Sequence, residues 1–129
     1  EHLQQKKWPY YNQLIKLIKQ NHPNLKIVIA PGPDEIEKAK ELDAVSILSE
    51  DKAISISELA GLIKSSKFVV ANDTGPAHMA AHLNVKGLSL FGSHTTAHKV
   101  SIERENFKAI QVSNLKNLSA EKVFERLVL

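Results

Sequence analysis

The junction between a buried strand and a proline-marked helix constrains this chain most, and residues 67–83 contain it. The mostly apolar run from Lys67 to Asn72 reads as a buried strand. It ends at Asp73-Thr74-Gly75, and Pro76 opens a segment of good helix formers from Ala77 to Leu83. Proline suits the first helical turn because its missing N–H would have no intrahelical partner there. Thr74 or Gly75 stands where the cap belongs. Strand, tight turn and helix in this order aim free backbone N–H groups and the positive end of a helix at one point, and an anion such as phosphate is the natural occupant. Asp73 lies beside that point, and His78 is one turn into the helix on a face that can reach it.

The rest of the chain alternates in the same way. Trp8-Pro9 starts a helix that runs to about Gln20, with Trp8, Tyr11, Leu14, Ile15 and Ile18 at helical spacing. Leu25 to Ala30 reads as a strand, Pro31-Gly32-Pro33-Asp34 as a turn, and Glu35 to Leu42 as a short polar helix. Val45 to Leu48 is a weaker strand, and Ser49 to Ile54 a loop. Ser55 with Glu58 forms a capping box ahead of Leu59, Leu62 and Ile63. After the central junction Asn84 stops the helix, and Gly87 to Phe91 is a strand. Gly92 to Glu105 is a long polar loop, and loops of that length in compact domains usually carry function. Phe107 to Val112 is a last strand, and Ser119 caps a closing helix over Ala120 to Leu129.

This alternation predicts an α/β fold: an open, mostly parallel, Rossmann-like sheet with helices on both faces. In such sheets ligands bind beyond the carboxyl ends of the strands. The loops at 31–34, 72–76 and 92–99 share that edge and line one crevice.

Composition narrows the function. The chain has 129 residues, one domain's worth, and no cysteine, so it has neither a disulfide framework nor a thiolate metal site. The net charge of +3 is spread over scattered lysines, with one Trp, two Tyr and four Phe. A nucleic-acid surface calls for clustered basic residues interleaved with aromatics, and that pattern is absent. No apolar run approaches the roughly 20 residues of a membrane-spanning helix. His78 and His82 are four apart, as are His94 and His98, but a zincin helix needs Glu directly after its first His, where Met79 stands. The reading therefore holds no metal and no cofactor. The chain begins Glu1-His2-Leu3-Gln4 with no Met, and its first element is a helix rather than a strand, which together predict a longer parent protein.

The pieces Lys6-Lys7-Trp8-Pro9, Pro31-Gly32-Pro33-Asp34-Glu35, Ser57-Glu58-Leu59-Ala60, Asn72-Asp73-Thr74-Gly75-Pro76-Ala77-His78 and Leu90-Phe91-Gly92 come in a familiar order. Together they resemble the carboxyl-terminal half of the ADP-heptose:lipopolysaccharide heptosyltransferases, glycosyltransferase family 9. The D-T-G-x-x-H element is the specific part. The resemblance implies a GT-B enzyme, two Rossmann-like domains facing across a cleft, of which residues 1–129 are the nucleotide-sugar (donor) domain and a fragment that catalyses nothing alone. It implies that Lys6 meets the diphosphate or the sugar and Asp73 holds sugar hydroxyls. By the same resemblance Thr74, Gly75 and His78 cradle the phosphates with Pro76 among the binding residues, Asp34 or Glu35 takes the ribose, and Ile54 packs on the adenine. The catalytic base and the lipopolysaccharide-core acceptor belong to the other half. The implied setting is the cytoplasm, with peripheral contact at the inner membrane. The family often reads F-G-P-T-D-P after the last core strand, whereas this chain has Phe91-Gly92-Ser93-His94-Thr95-Thr96.

Two other functions suit the same residues: a GT-B domain using another nucleotide-sugar, and a non-enzymatic nucleotide- or phosphate-binding module. Each residue also has a purely structural use. Asp73 caps a helix, Thr74 and Gly75 make a tight turn, His78 is an ordinary helix residue, and Lys6 and Glu35 are solvated charges.

Overall fold

The computed structural model describes residues 8–72, 75–92 and 106–127; Lys6, Asp73, Thr74 and most of the long polar loop lie outside them. In chain order the elements are α1 (Tyr11–Asn21), β1 (Val28–Ile29), α2 (Ile36–Ala39), β2 (Val45–Ser46), β3 (Leu48–Ser49) and β4 (Lys52–Ala53). There follow α3 (Ile56–Lys64), β5 (Val69–Asn72), α4 (Gly75–His82), β6 (Gly87–Phe91), β7 (Phe107–Gln111), a 3-10 turn (Leu115–Asn117) and α5 (Ala120–Glu125).

The centre is a three-stranded parallel sheet in the order β5-β6-β7, with Val69, Gly87 and Phe107 side by side at its start. Side chains alternate across it, so each strand feeds two cores. Phe91, Phe107 and Ala109, with Val69 and Ala71 beside them, pack against Ile63 of α3 and against Ala77, Ala80 and Ala81 of α4. Leu88 and Leu90, with Phe68, Val70 and Ile110, pack on the opposite face against Trp8, Leu14 of α1 and Val123 of α5. Helices therefore cover both faces, as the alternating sequence predicts. Fully burying a side chain the size of Phe or Leu contributes about 1.5–3 kcal/mol, and Phe91, Phe107, Leu88 and Leu90 are all fully buried.

Local signals account for most boundaries. The Ser55 hydroxyl accepts from the Glu58 N–H while the Glu58 carboxylate accepts from the Ser55 N–H, completing the expected capping box of α3. Ser119 caps α5 through the Lys122 N–H. Asn84, at φ 60°, ends α4. Its N–H reaches the Ala81 carbonyl and the Val85 N–H reaches that of Ala80, the paired bonds of a Schellman ending.

Four sequence expectations shift. The first helix begins at Tyr11 rather than Trp8 because the Trp8 indole is buried and donates to the Leu118 carbonyl at 2.7 Å, which holds Trp8 outside the helix. The strand expected over 25–30 pairs only at Val28 and Ile29, with β2 as its parallel partner. The stretch expected as a loop over 49–54 contains an antiparallel hairpin, β3–β4, turned by Glu50 and Asp51 at φ 51° and 67°. Two consecutive positive φ angles give the turn twist that hairpins favour, but Glu and Asp are not the usual carriers of it. Finally, β1–β2 forms a separate two-stranded sheet among the described residues.

Candidate functional site

The site is built at the carboxyl ends of the central strands. Strand β5 finishes at Asn72, and α4 starts at Gly75. Ala77, Ala80 and Ala81 lie on the sheet-facing side of α4 and are almost wholly buried, so the absence of bulk there lets the helix lie close to β5 and β6. Pro76 occupies the second helical position, within the first turn where its missing N–H breaks no intrahelical bond. The first turn of α4 therefore keeps its remaining N–H groups toward the end of β5, the arrangement that favours an anion. His78 is half-buried one turn further on.

Asn72 continues the side-chain row of Phe68 and Val70 toward the face that α1 covers. A buried amide there requires a polar partner. Tyr11, the first residue of α1, meets the oxygen of that amide: its hydroxyl donates to Asn72 Oδ1 at 2.7 Å. The Asn72 carbonyl accepts from the hydroxyl of the fully buried Ser89 at 3.3 Å. The Tyr11 ring stands edge-on to Trp8 with centroids 5.0 Å apart. Burial raises the Tyr11 phenol above its ordinary pKa, and the nearby Glu35 carboxylate raises it further. Tyr11 is therefore a neutral donor throughout the physiological range.

Glu35 belongs to the 31–35 loop, which is tied by two bonds of its own. Glu35 Oε1 accepts from the Gly32 N–H at 3.2 Å, and the Glu35 N–H donates to the Gly32 carbonyl at 3.0 Å. These bonds close the loop on itself and leave the Glu35 carboxylate exposed. Of the residues expected to form the site, Gly75, Pro76 and His78 lie at the start of α4, and Glu35 lies on the 31–35 loop ahead of α2. Asp34 is exposed on the same loop. Ile54 is half-buried between β4 and the Ser55 cap of α3. Lys6, Asp73 and Thr74 lie outside the described residues.

Sequence reasoning gave Tyr11 no polar role and placed Asn72 in the motif and the 72–76 loop without a partner. Tyr11 counted there only as part of the apolar stripe of α1. The available signals were a polar residue closing the row of Phe68 and Val70, and a hydroxyl on a helix face that has to find a partner when buried. No helix among the described residues is long and apolar enough to cross a membrane.

The chain is similar to lipopolysaccharide heptosyltransferase 1 of Campylobacter coli, 32% identical over 114 residues, covering 81% of this chain and 33% of that protein. It is similar to the Salmonella typhimurium strain LT2 protein of the same name, 33% identical over 131 aligned positions, covering 95% of this chain and 39% of that protein. The chain therefore spans between a third and two-fifths of these curated relatives. Among solved structures it superposes on E. coli heptosyltransferase WaaC with ADP at a TM-score of 0.79 and 25% identity, over 94% of this chain and 39% of that one. The structure of WaaC with ADP-2-deoxy-2-fluoro heptose gives the same TM-score at 26% identity, covering 94% of this chain and 38% of that one. E. coli ADP-heptose lps heptosyltransferase II shares the fold at 0.75 and 19% identity, over 94% of this chain and 40% of that one. The profile of Glycosyltransferase family 9 (heptosyltransferase) matches residues 1–127, and the chain belongs to that family.

Proposed function

We propose that this chain is the donor domain of a heptosyltransferase, binding ADP-heptose for transfer of the heptose to a lipopolysaccharide-core acceptor. The observation that carries the reading is the superposition of 94% of the chain on an ADP-bound heptosyltransferase, together with a β5–α4 junction of the sequence Asn72-Asp73-Thr74-Gly75-Pro76-Ala77-His78 at the ligand edge of the sheet.

In the proposed reaction the bond between the sugar's anomeric carbon and the β-phosphate oxygen breaks, and ADP leaves with the electron pair. The acceptor hydroxyl forms the new bond and gives its proton to a base on a second domain. Positive charge grows at the anomeric carbon and negative charge on the departing diphosphate. Preoriented N–H donors and cations stabilise the latter. In this reading the first-turn N–H groups of α4, Thr74, His78 and Lys6 serve the diphosphate, and Asp73 serves the sugar hydroxyls. Glu35 or Asp34 meets the ribose, and Ile54 meets the adenine. A helix N-terminus contributes about 0.3–1 kcal/mol to an exposed anion, up to ~2 when partly buried. The cytoplasmic face of the inner membrane, where a lipid-linked acceptor is reached without a membrane span, is the proposed setting.

Titration with ADP, UDP, GDP and inorganic phosphate, followed by amide chemical shifts, tests the reading. ADP-selective shifts at Gly75, His78 and Glu35 are expected. Preference for another base moves the assignment to a different donor, and a response to phosphate alone reduces the chain to a phosphate-binding module. Asp73→Ala should weaken binding of ADP-heptose without unfolding the chain.

A further inference from the structure

We propose that Tyr11 is a positioning residue for the donor site, acting through Asn72 to hold the end of β5 in the geometry that the turn into α4 requires. The inference rests on the donor-domain reading above. Its basis is a tie between residues 61 apart in sequence: the Tyr11 hydroxyl bonded to Asn72 Oδ1 at 2.7 Å. Both ends of the tie are themselves held. Tyr11 is the first residue of α1 and packs edge-on against Trp8, whose indole is fixed to the Leu118 carbonyl at 2.7 Å. Asn72 is held by Tyr11 at its side chain and by Ser89 at its carbonyl. Three residues later Gly75 begins α4.

The same hydroxyl stands within the electrostatic reach of Glu35, on the loop whose Gly32 and Glu35 bond each other. Tyr11 thus joins its own segment, packed at Trp8, to Asn72 at the end of β5. A site assembled before its ligand arrives spends less binding energy on ordering. A ring anchored on one side and bonded on the other has few rotamers to lose. A purely structural use, docking α1 on the sheet, is already met by Leu14 and Trp8 in the apolar core. The hydroxyl adds a directional bond at the one strand end that leads into α4.

The test compares the unsubstituted chain with Tyr11→Phe, Asn72→Ala and the double variant, by ADP calorimetry, amide relaxation and urea unfolding. Tyr11→Phe should weaken ADP binding about three- to tenfold, the worth of one net hydrogen bond. The double variant should bind no more weakly than Asn72→Ala, because the two residues act as a unit. Without ligand, the amide order parameters of Gly75, Ala77 and His78 should fall in Tyr11→Phe from the rigid range of about 0.85 toward 0.6, while those of α3 do not change. Unaltered ADP affinity and order parameters in Tyr11→Phe, with only the urea midpoint lowered, would make Tyr11 a structural tie and overturn the proposal. Additive losses would overturn it as well. Failure of the unsubstituted chain to bind ADP, with the order parameters still falling in Tyr11→Phe, would sink the donor reading and leave the mechanical link standing.

Discussion

Phe107 fills the space that a side chain on Gly87 would need. The two residues are partners in β6 and β7, and a methyl group added at Gly87 would meet the Phe107 ring on one side and the Val69 carbonyl oxygen at 2.6 Å on the other. The carbonyl belongs to the β5 backbone and cannot move without breaking the ladder, and Phe107 is fully buried. Gly87→Ala should therefore destabilise the chain by about 2–3 kcal/mol, at the upper part of the range for overpacked cores. The check is a lowered urea midpoint with an unchanged slope.

Trp8 is the only tryptophan in the chain, so its emission reports on a single place. Buried as it is, it should emit to the blue of free indole and move to the red on unfolding. Trp8→Phe keeps an aromatic ring but leaves the Leu118 carbonyl without the indole donor. A loss of about 1–3 kcal/mol is expected, measured by circular dichroism during urea unfolding.

Ser55→Ala removes the hydroxyl that accepts the Glu58 N–H at 3.1 Å. It should lower stability by about 1 kcal/mol, the usual effect of a lost N-cap. Ser57, exposed two residues into the same helix, provides the control. Ser57→Ala should be neutral or slightly stabilising, since alanine is the better helix former. Equal effects of the two substitutions would contradict the capping account.

Tyr11 links stability to alkaline pH. Its phenol pKa is raised in the folded chain by burial and then by Glu35. The protonated form is the one the fold favours, so its contribution is fully present below the unfolded phenol value of about 10. It is lost as pH rises beyond that value toward the folded one. Above pH 10 the stability of the unsubstituted chain should fall more steeply than that of Tyr11→Phe. Urea midpoints collected across that range, with phenolate absorbance followed in parallel, provide the measurement.

Signals confined to a few neighbouring residues were readable without coordinates. An apolar run bounded by Asp73-Thr74-Gly75 and Pro76 is enough to announce strand and helix at 67–83. Ser55 with Glu58, Ser119 and Asn84 mark helix ends through bonds that span five residues or fewer in the chain. The alternation of these elements carried the fold class, because an amphipathic helix between two apolar strands has to cover a parallel sheet. The Asp-Thr-Gly-Pro-Ala-His element carried the family.

Relationships between distant residues were not readable, because nothing in either local segment announces the other. The Tyr11 hydroxyl looks like part of an apolar stripe until packing brings Asn72, 61 residues away, within 2.7 Å. Gly87 looks like an ordinary strand start until Phe107 is laid beside it. Trp8 stays out of α1 because of a carbonyl 110 residues downstream, and the β3–β4 hairpin turns through residues of weak turn propensity. Local propensity therefore set which elements form. Where each one stops, and which side chains meet at the ligand edge, was decided by close packing and by the demand that buried polar groups be paired.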